Sequence, residues 1–171
     1  MKKGEKMSYL DNLKNNVKTN VMIEGDYDLP QDTYIIYVDG SFDTQNKNSG
    51  WGFVAIVNDQ MVFMNNGNVN DAEIGSRNIT GECYSAIKAV QWLESIGVEK
   101  AVIVHDYKGL GEWGTNNWKA KTPIAKKYKE VFQSNPTTIE FRWVRGHSNN
   151  EWNDFADVLA ELGKQKETEE I

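Results

Sequence analysis

Tyr34-Ile35-Ile36-Tyr37-Val38-Asp39-Gly40-Ser41-Phe42 is the stretch on which the fold turns. Five apolar or aromatic residues run directly into an acid, a glycine and a hydroxyl. A run apolar at every position reads as a strand buried on both faces, in the middle of a sheet. Asp39 then stands at the carboxyl end of that strand on a rigid base, and Gly40 lets a backbone or ligand approach closely. Asp-Gly between apolar runs is also a hairpin signal. The next apolar run, however, begins only at Trp51, too far along for a two-residue turn.

Outward from this strand the period changes along the chain. Asp43 to Ser49 is polar and turn-like. Gly50 to Val57 reads as a second strand, Asn58-Asp59-Gln60 as a turn, and Met61 to Met64 as a third strand, making an antiparallel meander. Asn65 to Arg77 reads as a loop. From Thr80 to Ser95, Cys83, Ala86, Ile87, Val90 and Leu93 recur at three and four, which predicts a helix stopped by Gly97. Cys83 belongs to that stripe and needs no role beyond packing.

Ala101 to His105 is a fourth, wholly apolar strand, expected parallel to the first through a right-handed crossover. A helical stretch from Asp106 carries Trp113 and Trp118, and Pro123 suits the first turn of another helix. Thr137 to Val144 predicts a fifth strand. After the loop Arg145 to Asn150 comes a last helix, with Phe155, Val158, Leu159 and Leu162 as its expected buried stripe. The fold class is α/β: a mixed sheet with helices on its faces.

The chain has 171 residues, about one domain, and a net charge of −6. That charge argues against a generally basic nucleic-acid binder but not against one with a local patch and metal ions. A single cysteine and the lack of anything like a signal peptide lead us to expect a reducing cytoplasm. No apolar run is long enough for a membrane span. Residues 1–32 read as an accessory extension; five lysines against six acids leave it at −1, and Tyr9, Leu10, Leu13 and Val17 allow a short helix. Residues 33–163 form the domain, and 164–171 a charged tail.

In sheets of this kind ligands bind beyond the carboxyl ends of the strands. Asp39 and Asp106 both fall there, and Glu82 opens the helix between them. Singly, Asp106 could be a helix cap and Glu82 a first-turn acid facing the dipole. Together, three close carboxylates repel unless cations share them or they keep protons. Oxygen-only ligands suit a hard ion such as magnesium or manganese.

Tyr37-Val38-Asp39-Gly40-Ser41, Gly81-Glu82, Asp106-Tyr107 and Val144-Arg145-Gly146-His147-Ser148, followed by Asn153-Asp154-Phe155-Ala156-Asp157-Val158-Leu159-Ala160, together resemble ribonuclease H of type one. The order and spacing agree from about residue 33 to 163, and the Asp106 to Lys119 pattern looks most like bacterial members. The resemblance implies a ribonuclease H-like five-stranded sheet of order 3-2-1-4-5, strand 2 antiparallel, with helices on both faces. It also implies an endonuclease that cuts the RNA strand of RNA–DNA hybrids with two magnesium ions (manganese as a substitute), leaving 5′-phosphate and 3′-hydroxyl ends.

By the same match Asp39 bridges the ions, Glu82 and Asp106 bind one, and Asp157 completes the other. Spacing alone leaves Asp154 as a rival, nearer the expected apolar stripe. His147 is matched to a loop histidine that moves protons or helps product leave; without the motif it is a loop histidine with local hydrogen bonds.

For the substrate, Gly40, Ser41, Asn78 and Gly81 are candidates for sensing the RNA 2′-hydroxyl, with Asn153 beside them. Trp113, Trp118 and Lys119 are candidates for aromatic and phosphate contacts. Thr115 to Glu130 holds five lysines against one acid, for which a solvated helix face is the bland reading. Ile79 departs from the family pattern, standing where an amide often contacts a sugar. A monomer acting on hybrid, away from membranes, is expected. The alternatives are a non-catalytic hybrid- or duplex-binding module and a DNA-directed nuclease of the same fold.

Overall fold

The computed structural model describes residues 19–70, 78–146 and 150–169. In chain order these form β1 (Val21–Glu24), β2 (Tyr34–Asp43), β3 (Asn48–Val57), β4 (Gln60–Asn70), α1 (Asn78–Ser95), β5 (Lys100–His105), α2 (Lys108–Gly114), α3 (Pro123–Ser134), β6 (Thr138–Trp143), α4 (Glu151–Gly163) and β7 (Thr168–Glu169). One sheet runs β1-β6-β5-β2-β3-β4-β7. Its five central strands have the expected 3-2-1-4-5 order. β2 lies antiparallel to β3 and parallel to β5, and β5 lies parallel to β6.

The alternation of β2 explains the two layers. Ile36 and Val38 join a core with α1, α3 and the inner residues of β6. Ile35 and Tyr37 point the other way and pack with Val54, Val102 and Val104 under Ala156 and Leu159 of α4. A strand between two such layers must be apolar on both sides, which is why Tyr34 to Val38 has no polar residue. Gly97 (φ 75°) ends α1, with its amide on Glu94 and that of Val98 on Leu93, a left-handed C-terminal cap. Thr122 caps α3 through its side chain, and Pro123 occupies the first turn.

Five expectations need correction. The sheet has seven strands, because Val21–Glu24 of the supposed accessory extension pairs with β6 and Thr168–Glu169 of the tail pairs with β4. The expected helix around Tyr9 to Val17 lies outside the described residues. β4 does not stop at Met64 but continues through Asn70, opposite Asn48 to Phe53. Its asparagines look loop-like in sequence, yet they serve the sheet's neighbour: Asn66 Nδ2 donates to the Leu159 carbonyl at 2.9 Å, and the buried Asn68 Nδ2 to the carbonyls of Gly163 (2.9 Å) and Lys166.

The helix after β5 ends at Gly114, so Trp118 lies beyond it. In α4 the buried face is Asn153, Ala156, Leu159, Ala160 and Gly163, while Val158 and Leu162 are about half exposed (54% and 51%). The reason is on β3: a Cβ on Gly50 would stand 2.1 Å from the Ala160 carbonyl oxygen, and one on Gly52 2.6 Å from the Leu159 Cβ. Ala156, Leu159 and Ala160 therefore seat against a groove of glycines, and Val158 and Leu162 are turned outward.

Candidate active site

The parallel pairing of β2 with β5 ends at Tyr37 opposite Val104. Asp39 and Asp106 each lie two residues further on, at the same level, where β2 continues beside β3 alone and the chain after β5 turns into α2. This is a switch point of the sheet, the place where ligands bind in open α/β folds.

Glu82 reaches the same point because α1 starts in contact with β2. A Cβ on Gly40 would lie 2.2 Å from the Glu82 amide nitrogen, and one on Gly81 would lie 2.5 Å from the Gly50 carbonyl oxygen. These two glycines are required for the close approach. As a result, one ligand atom from each of Asp39, Glu82 and Asp106 lies within 4.8 Å of the others.

Asp157 approaches from the opposite layer on α4, one turn after the buried Asn153, and its charge is felt at Asp39. The expected stripe would have favoured Asp154. The observed face, running through Asn153, Ala156 and Ala160, leaves Asp157 nearer the sheet.

Without cations these acids cannot all ionise. Burial first, and then the Asp106 charge, push the Asp39 carboxyl up to about 7, against a hydrogen bond shared with Glu82 and one from the Gly40 amide (2.9 Å). Burial, followed by the charges of Asp39 and Asp106, pushes Glu82 well above the usual carboxylate range. Burial thus favours the protonated form of Glu82, while its Oε2 is buried with no hydrogen-bond partner among the described residues. An orphaned, buried carboxylate oxygen beside two more acids is a donor set suited to a hard divalent ion, whose charge would replace the protons.

The remaining expected residues are placed as follows. His147 and Ser148 lie outside the described residues, as does the Asn78 side chain. Gly40 and Gly81 form the β2–α1 contact. The buried Ser41 donates its hydroxyl to Glu161, which also pairs with Lys164 at 2.8 Å. Sequence reading did not single out Glu161; its one signal is its position four residues after Asp157. Asn153 is buried with its Oδ1 unpartnered. Ile79, in the first turn of α1, packs against the core rather than facing outward as a polar contact would.

On the far side of α2, Trp113 and Trp118 meet edge to face at 5.9 Å and line a shallow depression of about 450 Å³ with Asn117, Lys119, Lys121 and Thr122. Lys127 and Lys129 of the basic stretch are engaged locally. Lys127 donates to the Tyr84 hydroxyl and Lys129 to the Trp118 carbonyl, both at 2.8 Å. The outward cations beside the two tryptophans are therefore Lys119 and Lys121.

The RNase H family model matches residues 31–165. A ribonuclease H of Rickettsia canadensis is 30% identical over 145 residues, 77% of this chain and 88% of that protein. The N-terminal RNase H domain of a Mycobacterium tuberculosis protein superposes with a TM-score of 0.65 at 21% identity, over 78% of this chain and 94% of that one. LC11-RNase H1, solved in complex with an RNA/DNA hybrid, does so with a TM-score of 0.62 at 17% identity, over 76% and 95%. At these identities the solved structures speak for the fold alone, while the family model and the Rickettsia relative carry the assignment. The chain belongs to the ribonuclease H family of enzymes.

Proposed function

We propose that this chain is an endonuclease that hydrolyses the RNA strand of RNA–DNA hybrids with a pair of magnesium ions, leaving 5′-phosphate and 3′-hydroxyl ends. The observation that carries the reading is the convergence of Asp39, Glu82 and Asp106 at one switch point, with Asp157 facing them from α4. Asp39, Glu82, Asp106 and Asp157 are the residues that would hold the ions, and Asp39 is the one that feels the charge of both Asp106 and Asp157. Bound divalent ions would activate the attacking water and offset charge on the leaving 3′-oxygen.

The chain's own part is to hold four oxygen donors in surroundings that strengthen their attraction for a cation. Holding a cation there would require Glu82 and Asp39 to release their protons, and His147 would move a proton or assist product departure. The complex of LC11-RNase H1 with hybrid supports the substrate class. Trp113, Trp118, Lys119 and Lys121 offer a stacking and phosphate surface for it. The chain is proposed to act as a monomer. Among the described residues no helix is long and apolar enough to cross a membrane.

The test is a side-by-side assay of end-labelled RNA–DNA hybrid, double-stranded RNA and double-stranded DNA, with magnesium and with chelator. Magnesium-dependent cutting of the RNA strand of the hybrid alone, with 5′-phosphate products, is expected. Equal cutting of duplex DNA favours the DNA-directed alternative. Tight hybrid binding without cutting favours the binding module.

A further inference from the structure

The family model begins at residue 31, yet residues 20–27 are joined to the sheet along β6. Asn20 accepts the Ile139 amide at 2.8 Å and donates to the Gly114 carbonyl at 3.0 Å. After β1, the Gly25 amide donates to the Trp143 carbonyl at 2.8 Å. The Arg142 guanidinium donates to the carbonyls of Gly25 (3.3 Å) and Tyr27 (3.0 Å). Two acids of this segment then reach past the end of β6. Glu24 receives Arg145 Nε at 2.9 Å, and Asp26 Oδ2 receives Asn150 Nδ2 at 3.2 Å. The two ends of the connection from β6 to α4 are thus tied to one short segment.

The ties are unequal. Arg145 and Glu24 are both largely exposed (74% and 56%), and a pair of that kind restrains little. Asn150 is half-buried and is the N-cap of α4, its Oδ1 accepting the Trp152 amide at 2.8 Å. Its Nδ2 faces two acceptors, Asp26 and the Tyr37 hydroxyl, each at 3.2 Å. A side-chain amide has one accepting end and one donating end, so acceptors on the Nδ2 side fix the orientation in which its oxygen caps the helix.

We propose that Asp26 is a positioning residue. Through Asn150 it fixes where the β6–α4 connection ends and α4 begins, and it thereby sets turnover without touching substrate or ion. This rests on the hybrid-cleaving reading above. Asp157 lies two turns further along the same helix, where the contact with Gly50 and Gly52 keeps it near the other acids, so a loosened helix start alters the aim of its carboxylate more than its presence. The signature is a change in kcat with KM and magnesium requirement preserved.

Two variants of the full chain test this, Asp26→Ala and Asp26→Asn. The alanine variant is expected to lose at least about threefold in kcat, with the KM for hybrid and the magnesium midpoint within about twofold of wild type. The asparagine variant keeps an oxygen acceptor without the charge and is expected to recover wild-type kcat. Amide hydrogen exchange at Trp152 and Asp154 gives a readout independent of activity: faster in the alanine variant, normal in the asparagine one. Unchanged kcat or unchanged exchange in Asp26→Ala overturns the proposal. So does an asparagine variant as slow as alanine, since charge rather than geometry would then be at work. A wild-type chain that leaves hybrid intact overturns the functional reading and the turnover claim with it, while unchanged exchange refutes the positioning itself.

Discussion

Asp39 occupies the centre of the carboxylate cluster because β2 carries it beyond the last pair with β5 and Gly40 admits α1 beside it. Asp39→Asn removes one negative charge and keeps the shape. It is expected to lower magnesium-dependent cleavage by at least about 10²-fold, with hybrid affinity in a gel-shift or anisotropy titration little changed. Wild-type cleavage by this variant would remove Asp39 from the role assigned to it. His105, at the end of β5, is an unrelated case of burial. It is fully buried, its Nδ1 bonds the Tyr107 carbonyl at 2.8 Å, and its Nε2 has no hydrogen-bond partner among the described residues. Burial holds its pKa down to about 4, against the opposing effect of that hydrogen bond. The neutral ring therefore contributes stability that is complete above the ordinary value of 6.5 and is lost as the pH falls toward 4. Urea unfolding of wild type at pH 7 and 4.5 should differ by up to about 3 kcal/mol more than that of His105→Asn. An equal slope in the two proteins would show that His105 is not the titrating group.

At the scale of elements, α4 is placed by glycines on the strand beneath it. Gly52→Ala puts a Cβ 2.6 Å from the Leu159 Cβ and 2.7 Å from the Ala160 amide nitrogen. The helix must lift, at a cost of about 1–3 kcal/mol for overpacking, and Asp157 moves away from Asp39 with it. A lowered melting temperature together with a raised magnesium requirement for cleavage is expected; a shift in melting temperature alone would separate Asp157 from ion binding. This same contact marks where sequence reading ends. The wholly apolar Tyr34 to Val38 and Ala101 to His105 announced central strands, and the acids that follow them announced the switch point. The α4 stripe was misread because hydrophobicity favours Val158 and Leu162, whereas the glycine groove of β3 selects Ala156 and Ala160. β4 was cut short because the partners of Asn66 and Asn68 are carbonyls more than ninety residues away. Asp157 was legible only through its motif, and Asp26 carried no local signal at all.

For the whole molecule, a net charge of −6 sets a general repulsion against nucleic acid, so on the proposed reading hybrid would be held through local cations and bound metal. Replacing Lys119 and Lys121 together by alanine should reduce the slope of log affinity for hybrid against log salt by about 1–2, with the cleavage rate of saturated enzyme unchanged. An unaltered slope would place the phosphates elsewhere. The protonated pair at Asp39 and Glu82 has a further consequence for the molecule as a chemical system. On the proposed reading, loading with magnesium near neutral pH would be an exchange in which hydrogen ions leave as the metal enters. Apparent metal affinity should therefore climb with pH, and calorimetric heats of loading measured in phosphate and in Tris should differ by the ionisation heat of the buffer for each hydrogen ion released. Identical heats in the two buffers would mean that the carboxylates are already bare when the metal arrives.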